Sequence, residues 1–338
     1  AGVVVPFEDV DAAVKAILFL AENKELRRSF GKTAQKRVQR DHNSANAAVE
    51  ILRHFKEEQN KMKAKKFSKK EPLVSVIVPN YNHAPFLTDR LKSIAQQTYH
   101  NIEIIVLDDC SSDSSREIIG KFLTQESRAS AFFNEQNSGS PFLQWQKGII
   151  LASGKYIWIA ESDDLADSNF LSKLVAPLES DPSIILATSQ LYMINKKGEV
   201  GTTPMEWLSE FNSKRWDCDY TNNGIEEIKS FLSKKNTILN ASGVVIRNIE
   251  GLSEMVDSTM RLCADWLLWI RLLEKGNIAY IAEPLNFWRI GTGNARNKKG
   301  MELELTEGPK IISEAGRILK WNAREITDAQ DTFRARYQ

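Results

Sequence analysis

The sequence predicts an α/β protein, with a mostly parallel sheet flanked by helices and further helical segments at both ends. Three observations carry that expectation. Val74 to Val78 and Ile102 to Leu107 are continuous apolar runs rich in β-branched residues, as in strands buried on both faces. Each leads into a stretch of helical period, Ala84 to Gln97 with Phe86, Leu87, Leu91 and Ile94 inward, and Ser111 to Leu123. Two βα units in succession call for a parallel sheet with a crevice above the carboxyl ends of its strands. The third observation is Gly154 to Asp164, GKYIWIAESDD, where another buried strand, Tyr156 to Ala160, runs straight into the carboxylates of Glu161, Asp163 and Asp164.

Carboxylates gathered at one strand end repel each other unless a proton or a cation compensates. A divalent metal carrying a phosphate-bearing ligand is the natural compensator. The competing reading is structural, because Ser162 or Asp164 can also cap the segment from Ala166 to Leu178.

At 338 residues the chain exceeds one domain of roughly 100 to 200 residues, so one large domain with additions is expected. Its 45 basic and 44 acidic residues cancel, which removes any global pull toward nucleic acid or anionic membrane. Cys110, Cys218 and Cys263 are odd in number and far apart, without CxxC spacing or a nearby histidine. That suits a reducing cytoplasm and excludes a Cys/His zinc site. No apolar run approaches the ~20 residues that span a bilayer, and no signal peptide is legible. Neither GxGxxG nor a P-loop follows a strand, so a nucleotide must be held by something other than a Gly-rich cradle.

In chain order, Val10 to Lys66 read as helical. Ala13, Val14, Ile17, Leu18 and Leu20 make one apolar face, Leu26, Phe30, Ala34 and Val38 a second, and Asn43 or Ser44 can cap a third segment through Phe55. The run GVVVPFEDVDAAVKAILFLAENKELRRSFGKTAQKRV resembles the last part of a GT-B glycosyltransferase of the family 4 type, in which a GxxVP strand precedes helices of this composition. The resemblance implies that 1–66 is the rear of an upstream glycosyltransferase module without its nucleotide site; the abrupt opening at AGVVVPFEDVD reads as that of an excised fragment. Lys61 to Lys70, KMKAKKFSKK, reads as a solvated helix end passing into a linker at 67–72, closed by Pro72. A polybasic patch in peripheral contact with the inner face of the membrane is the alternative.

From Leu73 the residues become specific. VSVIVPNYNHAPFLTDRLKSIAQQTYHNIEIIVLDDCSSDSS, followed by NSGSPFLQWQKGIILASGKYIWIAESDD, closely resembles the family 2 glycosyltransferases of the GT-A fold, Rossmann-like transferases of nucleotide-diphospho-sugars. The blocks occur in the family's order from Leu73 to about Arg296. The resemblance implies a GT-A domain at 73–300 and a helical extension at 301–338, where Ile311, Ile312, Ala315, Ile318 and Leu319 share one face.

The resemblance also implies a site. Pro79, Asn80 and Tyr81 match the strand end beside base and ribose, with Tyr81 offering its ring. Asp109 matches the carboxylate that accepts from a base N–H, with Asp108 beside it. An acceptor there suits uracil or thymine and disfavours cytosine, hence a UDP- or dTDP-sugar. Glu161, Ser162 and Asp163 fall on the DxD motif, with Asp163 on the metal ligand and Asp164 behind it, for Mn²⁺ or Mg²⁺ bridging to the diphosphate. Asp265, in RLCADWLLWIRLL, falls on the family's general base, which takes the proton of the attacking acceptor hydroxyl; read from the residue alone, it is equally a helix cap. One base without a second carboxylate nucleophile implies inversion. The implied acceptor is a glycan or lipid-linked glycan of a bacterial surface polysaccharide.

The chain departs from the family's pattern in three places. Glu161 stands for the first Asp of DxD, Trp145-Gln146 stands where a basic residue is common, and Phe287-Trp288-Arg289-Ile290-Gly291 has glycine where a histidine would help hold metal or phosphate. Arg289, with Arg296 and Lys298, is left to stabilise the departing diphosphate. Trp207, Trp216 and Tyr220 are either acceptor-stacking or core aromatics. Two other functions compete. A nucleotidyltransferase would need a triphosphate-binding loop, which the chain lacks; an inactive GT-A module would bind glycan or organise a multidomain glycosyltransferase.

Overall fold

The computed structural model describes residues 10–41, 71–211, 213–292 and 298–336. Contacts divide the chain into two units, 1–55 and 56–338. The first contains helices α1 (Val10–Glu22) and α2 (Lys24–Asp41), at the two leading periodic segments. Val14, Ile17, Leu18 and Phe19 on α1 are each more than 40% exposed. The expected GxxVP strand, the third helical segment and the basic run at 61–70 lie outside the described residues.

The second unit is built on one sheet. Strands β1 (Val74–Asn80) and β2 (Ile102–Asp108) are buried at every position, as their unbroken apolar sequences require. With β3 (Ala129–Phe133) and β4 (Tyr156–Ile159) they form a parallel half, connected through α3 (Ala84–Ala95), α4 (Ser115–Gln125) and α5 (Pro141–Leu151). After β5 (Leu165–Ala166) and α6 (Phe170–Ser180) come β6 (Ile184–Ile194), β7 (Tyr220–Asn222), β8 (Val244–Arg247), α7 (Ala264–Leu273) and β9 (Asn277–Arg289). The strand order is β3-β2-β1-β4-β8-β6-β9-β5, with β7 on β9. Because β8 is antiparallel to both β4 and β6, β6 and β9 run the same way as the first four strands. The sheet is therefore mostly parallel, as expected, with β8 inserted against the grain.

Register makes the rim level. Asn80 stands opposite Asp108, and Ile77 opposite Ile159, so the polar ends of β1, β2 and β4 emerge side by side. Gly148 on α5 permits close packing on β1, since a Cβ there would meet the Ile77 side chain at 2.3 Å.

Two C-terminal helices, α8 (Lys298–Leu319) and α9 (Ala323–Ala335), complete the same core. Ile311, Ile312, Ala315 and Phe333 join Ile77, Ile159 and Trp266 in one buried cluster. The boundary expected after residue 300 thus falls inside α8, whose apolar face lies in the core. Among the described residues no helix is long and apolar enough to cross a membrane.

Candidate active site

The rim begins with two adjacent aspartates that face opposite ways. Asp108 is fully buried and accepts hydrogen bonds from Asn80 Nδ2 (2.9 Å), the Ser111 N–H (3.1 Å) and Arg116 Nε (3.2 Å). It clamps β1 to the loop after β2. Asp109 receives the Asn134 amide (2.6 Å), the Ser138 N–H and hydroxyl (2.9 and 2.7 Å) and Gln144 Nε2 (3.0 Å). The chain then turns through Cys110 in the left-handed region at φ 62°, which costs a residue with a Cβ roughly 1–2 kcal/mol. Asn82 also has positive φ, and its side-chain carbonyl accepts from the N–H groups of Ser112 and Asp113. The β1 and β2 loops are thereby tied together.

A cleft of about 530 Å³ opens above these strand ends. Pro79, Asn80, Tyr81, Asp109, Glu161 and Ser162 line it, together with His83, Gln144, Asn137, Gly139, Ser140 and Pro141. Six of the expected site residues are thus brought together. Tyr81, 48% exposed, leaves its ring accessible. Asp108, Asp163, Asp164, Arg289 and Asp265 are not among the lining residues.

The acidic turn after β4 is held from below. Trp145 Nε1 donates to Glu161 Oε1 (2.8 Å), and the Glu161 N–H to Ser242 Oγ (3.0 Å). Burial, then the neighbouring Asp163, push the Glu161 carboxyl up to about 8. Asp164 is raised for the same two reasons, and both its oxygens are engaged, by the Arg289 N–H (2.8 Å) and Asn240 Nδ2 (2.9 Å). Asp163 is half-buried and accepts at Oδ2 from the Thr292 hydroxyl. Ser162 shares a 2.8 Å hydrogen bond with His83 Nδ1. Behind the turn lies Arg90, fully buried and 4.8 Å over the Trp158 ring. Burial lowers its guanidinium to about 10, while Asp164, Glu161 and Asp163 oppose that shift.

Arg289 occupies a different place from the one expected of a diphosphate contact. Its Nε donates to the Asp163 carbonyl (2.6 Å), its Nη1 to the carbonyls of Asn195 (2.8 Å) and Lys196 (3.2 Å), and its guanidinium lies 4.8 Å over Phe86. Arg296 and the Lys298 side chain lie outside the described residues. Asp265 stands in the first turn of α7 and receives Asn236 Nδ2 (3.3 Å). Burial pushes its carboxyl up to about 7, Glu304 and Glu307 adding to the rise while the hydrogen bonds from the Trp266 N–H and Asn236 oppose it.

Several participants escaped sequence reasoning. Asn134, Ser138 and Gln144 converge on Asp109, although their stretch carried only an overall resemblance, and Trp145, legible only as standing where a basic residue is common, supports Glu161. A polar residue every few positions beside a buried helix, as in NSGSPFLQW, was the available signal. Trp216, by contrast, is 4% exposed within a cluster containing Leu208 and Tyr280, and Tyr220 stacks on Tyr280 at 4.9 Å. Both serve packing.

A mostly parallel sheet with flanking helices and an acidic turn at its carboxyl rim defines the GT-A architecture of nucleotide-sugar transferases. Residues 75–237 match the family described as glycosyl transferase family 2, and this stretch is a family 2 glycosyltransferase domain, an enzyme domain. The chain is similar to the glycosyltransferase GlyG of Streptococcus pneumoniae, 36% identical over 121 residues, 36% of this chain and 40% of GlyG. It is also similar to the GalNAc(5)-diNAcBac-PP-undecaprenol beta-1,3-glucosyltransferase of Campylobacter jejuni, 34% identical over 104 residues, 31% of this chain and 34% of that enzyme. The matches thus span well under half the length of either relative. The crystal structure of S. aureus TarS (1–349) in complex with UDP-GlcNAc shares the fold at 18% identity, with TM-score 0.54, covering 77% of this chain and 78% of that one.

Proposed function

We propose that the chain is an inverting glycosyltransferase that moves a sugar from a UDP- or dTDP-sugar to a glycan or lipid-linked glycan acceptor, in bacterial surface polysaccharide synthesis. The observation that carries this reading is the cleft at the level ends of β1, β2 and β4, with the Asp109 carboxylate and the acidic turn in its neighbourhood. A base N–H would exchange for a Ser138 contact on Asp109, so recognition replaces one hydrogen bond with another. The uridine ligand of TarS and the undecaprenol-linked substrate in the name of the Campylobacter relative support the donor and acceptor classes.

The residues fit a divalent cation in one manner and not in another. Thr292 occupies one oxygen of Asp163, so Asp163 would hold Mn²⁺ or Mg²⁺ through its other oxygen, as a single protein ligand to a cation brought in with the diphosphate. A cage made of protein alone does not fit, since no group of three or more His, Cys, Asp or Glu among the described residues is placed to hold a metal. Bound there, the cation would neutralise charge on the departing nucleoside diphosphate. In this reading Asp164 and Arg289 brace the acidic turn and Asp108 braces the base loop; none of the three contacts the donor. Asp265 takes the proton from the acceptor hydroxyl as it attacks the anomeric carbon opposite the diphosphate, and its raised pKa, near neutrality, suits a base at work there. We further propose a cytoplasmic location, an upstream glycosyltransferase module to which 1–66 belong, and peripheral membrane contact through 61–70.

The test is Asp265→Asn. Donor affinity should stay near wild type by calorimetry, while transfer falls by roughly 10²- to 10⁴-fold, as for a lost general base. Full activity in that variant removes Asp265 from the mechanism. Failure of the wild type to bind UDP or dTDP, with or without Mn²⁺, favours the inactive glycan-binding module instead.

A further inference from the structure

The C-terminal helices complete the core, and α8 also delivers a charged group into the interior. Glu307 is 5% exposed, and its carboxylate accepts the backbone N–H groups of three consecutive residues, Arg261 (2.6 Å), Leu262 (3.1 Å) and Cys263 (2.8 Å). These residues are the turn that enters α7, and Cys263, the residue before that helix, makes no side-chain cap of its own. A helix N-terminus leaves N–H groups without partners and favours negative charge. Glu307 supplies that charge from a different element and takes the N–H of Cys263, at the helix start, together with those of the two residues ahead of it, in charge-assisted bonds.

The turn so held has two functional neighbours. Arg261 Nη1 donates to the Gly139 carbonyl at 2.5 Å, and Gly139 lines the cleft. At the other end, Asp265 follows Cys263 by two residues. Phe333 of α9 packs 5.9 Å from the Trp266 ring, so the C-terminal helices grip the start of α7 by its backbone and by its side chain.

We propose that Glu307 is a positioning residue for transfer, its carboxylate setting where the Arg261–Cys263 turn, and with it Asp265, stands relative to the donor cleft. This rests on the reading of Asp265 as the general base. The groups that face Asp265 are Glu304 and Glu307 from α8, Cys263 from the turn and Asn236 by hydrogen bond. Both glutamates lend it negative charge, but among the described residues Glu304 makes no hydrogen bond to the turn. Comparing the two therefore separates charge from position.

The experiment measures UDP release from a panel of UDP-sugars against pH, with UDP affinity by calorimetry in parallel, for Glu307→Gln, Glu304→Gln and Asp265→Asn in the full chain. Glu304→Gln should move the acid limb of the rate to lower pH, because a negative neighbour of the base is gone, and keep the plateau rate. Glu307→Gln should move the limb the same way, keep UDP affinity, and lower the plateau by roughly 10- to 100-fold, the scale of a displacement of about 1 Å. Glu307→Asp keeps the charge and shortens the reach, so it should lower the plateau with the limb near wild type, which covers the case of a glutamine variant that does not fold. The inference is overturned if both Glu307 variants keep the wild-type plateau while Asp265→Asn is inactive. Full activity in Asp265→Asn overturns the base reading itself, and the inference with it.

Discussion

Asp109 and Asp163 take different parts of the proposed donor and should fail differently. Asp109→Ala removes the base acceptor, so calorimetry should show weaker UDP binding with or without Mn²⁺. Asp163→Ala removes the proposed protein ligand of the cation and should weaken binding in Mn²⁺ alone. Equal affinity in both variants and wild type would discard the donor site. Asp265 allows a test that needs no substrate. Its carboxyl is pushed up to about 7, well above the ordinary aspartate value of about 3.9. Between those values the folded protein keeps a proton that the unfolded chain has lost. Its stabilising contribution is therefore fully present at low pH and is lost as pH rises through about 7. Asn stays neutral throughout, so Asp265→Asn should melt higher than wild type at about pH 8 and alike at about pH 4. A lower melting temperature for the variant at the higher pH would mean that the fold compensates the charge.

At the scale of elements, the hairpin of α8 and α9 depends on close packing. Asn322 opens α9 with a full capping box, in which the Glu325 carboxylate accepts from the Asn322 N–H at 2.7 Å. Gly308 sets how near α9 can come, because a Cβ there would stand 2.3 Å from Phe333 Cζ and 2.4 Å from Cε1. Two effects oppose each other in Gly308→Ala. Alanine gains about 1 kcal/mol of helix propensity, while overpacking a core costs about 1–3 kcal/mol. The Phe333 ring is buried against Trp266 and has no open side to move to, so the packing penalty should win. Urea unfolding should show a lower midpoint at unchanged slope. Stabilisation would mean that the ring can shift.

For the whole molecule, the division of contacts between 1–55 and 56–338 makes a clear demand. A chain beginning near Lys69 should keep its nucleotide affinity, since every residue of the proposed donor site lies beyond that point. Folded protein that no longer binds UDP would move the boundary upstream. The exposed apolar residues of α1, Val14, Ile17, Leu18 and Phe19, make the leading unit the part to watch for association in light scattering.

What the sequence by itself determined is local: apolar runs for β1, β2 and β4, helical periods between them, and polar residues where each strand stops. These are set by neighbours within a few positions, and with them came the α/β class and the rim where a ligand would sit. Which face each rim side chain takes was decided by pairing across the sheet. Asp108 and Asp109 look alike in VLDD, but Asp108 ends β2 and is taken up by Asn80, the Ser111 N–H and Arg116, while Asp109, one residue past the strand, lines the cleft. Asp164 and Arg289 likewise read as site residues until β9 brings the Arg289 backbone against one and its guanidinium against the carbonyls around the turn. Tertiary structure alone placed β8 between β4 and β6, and Glu307 on a turn more than forty residues before it in the chain. No local pattern encodes such contacts, since a buried carboxylate is stable only where a distant segment presents its unpaired N–H groups.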